Sequence, residues 1–167
     1  STYTLQDWEI LELLASLPQS TMGRRFCFAF QLMATYGLRA AELRYLQVRN
    51  QESELWLRAR CHGAEHSFRS NESCKLEAVP VVNTDGIPQE WNLVGRVALG
   101  ERLPPLGSDA KASQHLASYL NGRPTWQEIQ NKGLRSGQQV MIDSFSQRYA
   151  CAAHNLCTAN QSSDEKL

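Results

Sequence analysis

Apolar side chains recur at helical spacing through the first third of this chain, and that recurrence then gives way to a two-residue alternation. Leu5, Trp8, Leu11, Leu14 and Leu17 repeat along one helical face before Pro18 stops the run. Thr4 is expected to cap this helix, with Asp7 as an acid in its first turn. A second helix is expected over about 24–36, with Phe26, Phe30, Leu32 and Met33 on its apolar face and Gly37 as its C-terminal stop. A third, shorter helix is expected over about 40–46, where Ala41, Glu42, Leu43 and Leu46 suit one buried stripe and one wet face. From there the period is two: Leu55, Leu57 and Ala59 alternate with Trp56, Arg58 and Arg60, the rhythm of a half-buried strand.

A second β-prone run covers 76–82, where Pro80 confines the strand to an edge or a bulge. The polar stretch 61–74 between the two runs predicts a small antiparallel hairpin with a long tip. Helix then returns over about 89–99. An irregular connector, 101–107, leads to a helix over about 110–120, with Ser108 as its cap and Asn121-Gly122 as its close. Pro124 opens a helix through about 131, 133–139 reads as a loop, and Ser144 is expected to cap a last helix reaching about Cys157. Together these predict a mainly helical α+β domain over 1–158 with one small sheet, followed by a disordered polar tail over 159–167.

A chain of 167 residues is one ordinary domain, and 42% apolar with 20% charged residues is a globular composition. No apolar run approaches the roughly 20 residues of a spanning helix, and no signal peptide opens the chain, so the expectation is a soluble, cytoplasmic protein with no membrane partner. Lysine plus arginine equals aspartate plus glutamate, 17 each, so net charge does not select a nucleic-acid partner. Most of the cations are arginines, which suit bidentate phosphate contacts and structural ion pairs equally. The five cysteines are odd in number and irregularly spaced, which favours free thiols. Two groups carry metal-ligand chemistry, Cys61, His62, His66 and Cys74 in the hairpin tip and Cys151, His154 and Cys157 on the last helix. Neither has the paired spacing of a structural zinc site, so no metal and no cofactor is expected. Trp56, Trp91 and Trp126 read as packing residues rather than base-stacking platforms.

The stretch Thr35-Tyr36-Gly37-Leu38-Arg39-Ala40-Ala41-Glu42-Leu43 sets an arginine in a tight turn between two helices. There its guanidinium stands beside the amide groups of a new helix N-terminus, and both favour an anion. This string resembles the first active-site box of the tyrosine recombinases, the phage-integrase family, whose pattern is Thr-Gly-Leu-Arg-x-x-Glu-Leu. The order of elements agrees: two helices precede the box, a small sheet follows it, and Val79-Pro80 lies on the later strand. Asp143-Ser144-Phe145-Ser146-Gln147-Arg148-Tyr149-Ala150 then resembles a Ser-Phe-Arg-His-Arg-Tyr-Ala form of the second box.

The resemblance implies a catalytic-domain-like helical bundle with a small antiparallel sheet, and a role tied to DNA integration and recombination. It implies that Arg39 grips a backbone phosphate, that Lys75 is a candidate for the hairpin lysine, and that Arg44, Arg58, Arg60 and Arg69 face the DNA backbone. The departures imply lost catalysis. Asp143 stands at the first position of the second box, Ser146 replaces its second arginine, and Gln147 replaces its histidine. Two arginines normally share the charge that develops on the phosphoryl oxygens. The family's Leu-Gly-His motif and nucleophilic tyrosine are not found after Tyr149, which itself matches a packing position. The chain starts at the first helix of the catalytic domain, so a separate N-terminal clamping domain is not expected. The resulting expectation is weak, sequence-indifferent binding of duplex DNA without cleavage. Alternatives are a regulatory decoy that binds a full-length recombinase, and a decayed fragment without a selected role.

Overall fold

The computed structural model describes residues 1–58 and 72–165, with side chains through Ala159 in the last helix. In chain order it has α1 (Asp7–Ser16), α2 (Thr21–Tyr36), a 3-10 turn (Ala40–Tyr45), β1 (Leu46–Arg49), β2 (Glu54–Leu57) and β3 (Cys74–Lys75). There follow α3 (Leu93–Ala98), a second 3-10 turn (Asp109–Lys111), α4 (Ala112–Leu120), α5 (Pro124–Arg135) and α6 (Asp143–Glu165). The architecture is α+β, with one antiparallel three-stranded sheet in the order β1-β2-β3. Leu46 pairs with Leu57 and Arg49 with Glu54 on one side of β2, and Trp56 pairs with Lys75 on the other.

α2 is the axis of the molecule. Phe26, Phe28, Phe30, Leu32 and Met33 are all buried, so this helix is covered on more than one face, as a central helix must be. α6 packs across it: the Phe145 ring stacks on Phe30 at 4.9 Å between centroids, and Trp126 of α5 lies 6.0 Å beyond. Tyr119 of α4 stacks on Phe26 at 3.7 Å. Burying each such aromatic contributes about 1.5–3 kcal/mol. Leu55 and Leu57 bring one face of β2 into the same core.

Several expected boundaries move, each for a local reason. α1 begins after Gln6 rather than Thr4, because the Glu9 carboxylate accepts from the Gln6 N–H at 2.9 Å. α2 begins at Thr21, earlier than expected, since the Ser20 hydroxyl accepts from the Gly23 N–H at 3.0 Å. Gly37 ends it as expected, in the left-handed region at φ 67°.

The third helix is instead the 3-10 turn Ala40–Tyr45, and Leu46 belongs to β1, an unexpected strand. The two-stranded hairpin therefore becomes a three-stranded sheet. The later strand is only Cys74–Lys75, and the 76–82 run is not a strand of that sheet. Its Leu76 N–H still donates to Leu55 O of β2 at 2.9 Å, but beyond it the backbone bonds elsewhere: the Val79 N–H donates to Thr35 O at 2.9 Å, and the Val79 and Pro80 carbonyls accept from Arg148. Thr35 O belongs to the last turn of α2, whose carbonyls lack helical partners, so helix end and extended segment satisfy each other.

α3 starts at Leu93 because Asn92 is left-handed (φ 52°) and the Gln89 N–H is tied back to Val81 O. Ser108 precedes the second 3-10 turn and makes no side-chain cap, so α4 starts at Ala112. α5 continues past 131 to Arg135 and takes in Gly133, where a Cβ would stand 2.7 Å from Val140 Cγ2. Ser144 lies inside α6 rather than before it, and its hydroxyl accepts from the Met141 N–H at 3.0 Å. α6 also runs beyond Cys157 to Glu165, so residues 159–165 of the expected polar tail have helical backbone. No proline or glycine interrupts it there.

Candidate functional site

Arg39 sits where α2 stops. Gly37 turns the chain out of the helix, and Arg39 follows in extended conformation at the head of the 3-10 turn. The turn is held from within: the Glu42 carboxylate accepts from the Arg39 N–H at 2.8 Å, and the Glu42 N–H donates to Arg39 O at 2.9 Å. Glu42 is 2% exposed, so its carboxylate is fixed there. This corrects the expected anion site at a helix N-terminus. The element is one short 3-10 turn, and the Arg39 N–H at its head already meets a carboxylate. The Arg39 side chain is half-buried.

The first turns of α6 come to the same place. The Ser146 hydroxyl donates to Leu38 O at 2.6 Å, joining residues 108 positions apart. The Tyr149 ring lies against Gly37, where a Cβ would fall 2.4 Å from Tyr149 Cδ1, and its hydroxyl donates to Glu77 O at 2.7 Å. Arg39, Asp143, Ser146, Gln147 and Tyr149, with Thr2 at the edge, line one cavity of about 360 Å³. Asp143 and Gln147 are exposed on its wall. Thr2 arrives through pairing of the N-terminus with the segment before α6, where the Tyr3 N–H donates to Gln139 O at 2.9 Å.

Arg148, adjacent in sequence to this wall, points the other way and is 4% exposed. Its Nε and Nη2 bond the two Asp7 carboxylate oxygens at 2.7 and 2.9 Å. Nη1 donates to Ala34 O and Val79 O at 3.1 and 2.6 Å, and Nη2 to Pro80 O at 2.9 Å. Burial pulls the Asp7 carboxyl upward, but the Arg148 bonds, the Val82 N–H and the guanidinium charge together outweigh it and leave the group below its ordinary value. Nothing local announces this pair, whose members are 141 positions apart.

The other residues singled out from the sequence are dispersed. Lys75 lies on β3, pairs with Glu54 at 3.3 Å and Glu77 at 3.7 Å, and does not line the cavity. Its ammonium is held above its ordinary value, chiefly by the Glu54 hydrogen bond. Arg44 is tied to Asp109, which also accepts from the Tyr45 hydroxyl at 2.8 Å, so it braces the two 3-10 turns against each other. Arg58 is exposed and donates to Arg44 O at 3.3 Å. Arg60 and Arg69 lie outside the described residues, as do Cys61, His62 and His66. Among the described residues no group of three or more His, Cys, Asp or Glu side chains is placed to hold a metal ion. Trp126 is buried in the core, Trp91 is half-buried, and Trp56 is half-buried under the Arg49 guanidinium at 4.1 Å. No helix among the described residues is long and apolar enough to cross a membrane. No family model, no curated protein and no solved structure matches this chain.

Proposed function

We propose that this domain is a tyrosine-recombinase-like module that holds duplex DNA by its backbone, weakly and without reading sequence, and that neither cleaves nor rejoins it. The observation that carries this reading is the convergence of Arg39 with Asp143, Ser146 and Gln147 on one cavity, although the two segments are distant in sequence. Those are the residues that the resemblance pairs as first and second box. A guanidinium at such a site forms charge-assisted bonds to a phosphodiester.

The chemistry of cleavage asks for more. Charge developing on the phosphoryl oxygens needs several preorganised donors, and losing one typically costs about 10²–10³-fold. Ser146 supplies no cation, and its proton is already committed to Leu38 O. Nor can Arg148 act as a substitute, since its N–H groups are taken by Asp7 and three backbone carbonyls.

Fluorescence anisotropy with a 30-base-pair duplex tests the binding half. Affinity is expected to fall as salt rises, and Arg39→Ala is expected to weaken it by about tenfold with a still shallower salt slope. Salt-insensitive binding, or an Arg39→Ala variant that binds as well as the parent, rules the reading out. Nicked suicide substrates test the other half, with no covalent protein–DNA adduct expected.

A further inference from the structure

Away from Arg39, α1 packs along α5, and between the two helices opens a cavity of about 380 Å³. Its described lining includes Trp8, Glu9 and Glu12 of α1 and Glu128, Ile129, Lys132 and Arg135 of α5. Positions 8 and 12 share one face of α1, and 128, 132 and 135 share one face of α5, so two stripes confront each other across the cleft. Trp8 belongs to the apolar repeat of α1, yet it stays 46% exposed, a large open surface for an indole.

The charged side chains of this cleft fall into two groups. Lys132 and Arg135 lie in the last turn of α5, where the helix dipole favours cations, so they are accounted for without a ligand. The Lys132 ammonium is also matched within the fold. It lies 3.4 Å from a carboxylate oxygen of the buried Glu9 and 4.6 Å from the centroid of the Trp8 ring. An organic cation is thus already seated on this indole beside a carboxylate. Glu12 and Glu128 are different. Both are exposed, they come from opposite walls, and neither carboxylate makes a hydrogen bond or ion pair among the described residues.

We infer that this cleft binds an alkylguanidinium cation, the head group of an arginine side chain or of a free guanidine. A guanidinium is flat, so it lies on the indole surface that is still open, and its N–H donors form a fork that two carboxylates can share. A compact ammonium is more strongly hydrated and gains less from a flat ring. Ile129 is buried, lines the same cleft and suits the alkyl stem. Arg135 opposes a cation, which keeps the expected affinity modest.

NMR titration of the isotope-labelled chain tests this, with the Trp8 indole N–H as reporter, assigned as the signal lost in Trp8→Leu. The probes are n-propylguanidinium and an arginine capped at both ends, with n-propylammonium and inorganic phosphate as comparators. Both guanidinium probes are expected to shift the reporter at millimolar concentration, and n-propylammonium is expected to bind about fivefold more weakly. Glu12→Gln and Glu128→Gln are each expected to weaken guanidinium binding by about threefold, and the double variant by about tenfold. Arg135→Gln is expected to tighten it by about twofold. Melting curves verify that these surface variants are folded. A reporter that moves with neither guanidinium overturns the inference, as does equal affinity for n-propylammonium or full affinity in the double variant. So does tighter binding of phosphate, which would make the cleft an anion site of Lys132 and Arg135. Capped arginine binding as well as n-propylguanidinium or better assigns the ligand to a polypeptide side chain, and weaker binding assigns it to a free guanidine. Both results uphold the site. None of them involves Arg39, so the DNA-holding reading stands or falls separately.

Discussion

An arginine side chain offers five N–H donors, and at Arg148 they are matched by two Asp7 oxygens and the carbonyls of Ala34, Val79 and Pro80. Truncation there strands a carboxylate and three carbonyls at once. Arg148→Ala is therefore expected to cost about 3–5 kcal/mol in urea unfolding, the range for breaking a buried pair on one side. The pH dependence follows from the depressed Asp7 carboxyl. A group whose folded pKa lies below its unfolded value, about 3.9, contributes stability above that pH and loses it as pH falls through the folded value. The stability gap between the parent and Asp7→Asn is accordingly expected to be widest near neutrality and to close below about pH 4. A gap that stayed constant down to pH 2 would mean the pair is not what stabilises the fold.

Gly37 makes a second demand on a single position. It needs a left-handed backbone, and it needs no side chain because the Tyr149 ring fills that space. Gly37→Ala is expected to destabilise by about 2–4 kcal/mol, combining the left-handed penalty with overpacking, read as a lower urea midpoint at unchanged slope. The role of glycine as a helix stop was legible in the sequence from its place after an apolar helical run. The ring against it was not, because that contact joins two elements distant along the chain.

Among elements, α6 is the one that organises the others. One face carries Phe145 into the core against Phe30, Arg148 reaches α1 and the Val79-Pro80 segment, and Ser146 and Tyr149 reach the turn after α2. Phe145→Ala is expected to cost about 3–5 kcal/mol, and through α6 it is expected to weaken duplex binding even though Phe145 lines no part of the cavity. Retention of full DNA affinity at a much lower melting temperature would separate the cavity from the helix that bears it. The strands teach the converse lesson. Period-two alternation identified β2, where one face is buried. β1 is as short as β2 and buries neither face fully, β3 has two residues, and both exist through pairing with β2. The 76–82 run has strand composition, yet beyond Leu76 its Val79-Pro80 backbone bonds to a helix end and an arginine instead of the sheet.

At the scale of the whole molecule, residues 1–158 read as one helical domain with a small sheet, and the described part is a single core around α2 with that sheet at its side. Equal numbers of acidic and basic residues leave no net charge to attract DNA from a distance. Arg44 and Lys75, both expected on or near a binding surface, are held by Asp109 and by Glu54 and Glu77. The expected salt slope is therefore shallow, on the order of one to three phosphates neutralised, and a measured slope near ten would point to a surface other than this cavity.

The chain by itself determined what depends on near neighbours: the helical runs, the stop at Gly37 and the alternation of β2. Such features follow from backbone sterics and side-chain period, which act over a few residues. Tertiary structure decided which way each polar side chain of the segments 35–43 and 143–150 turns. Arg148 faces inward to Asp7, Glu42 caps its own turn, and the Ser146 and Tyr149 protons go to backbone carbonyls. A buried donor or acceptor must find a partner wherever the packed chain offers one. In the cases of Arg148, Ser146 and Tyr149 that partner comes from an element far away in sequence.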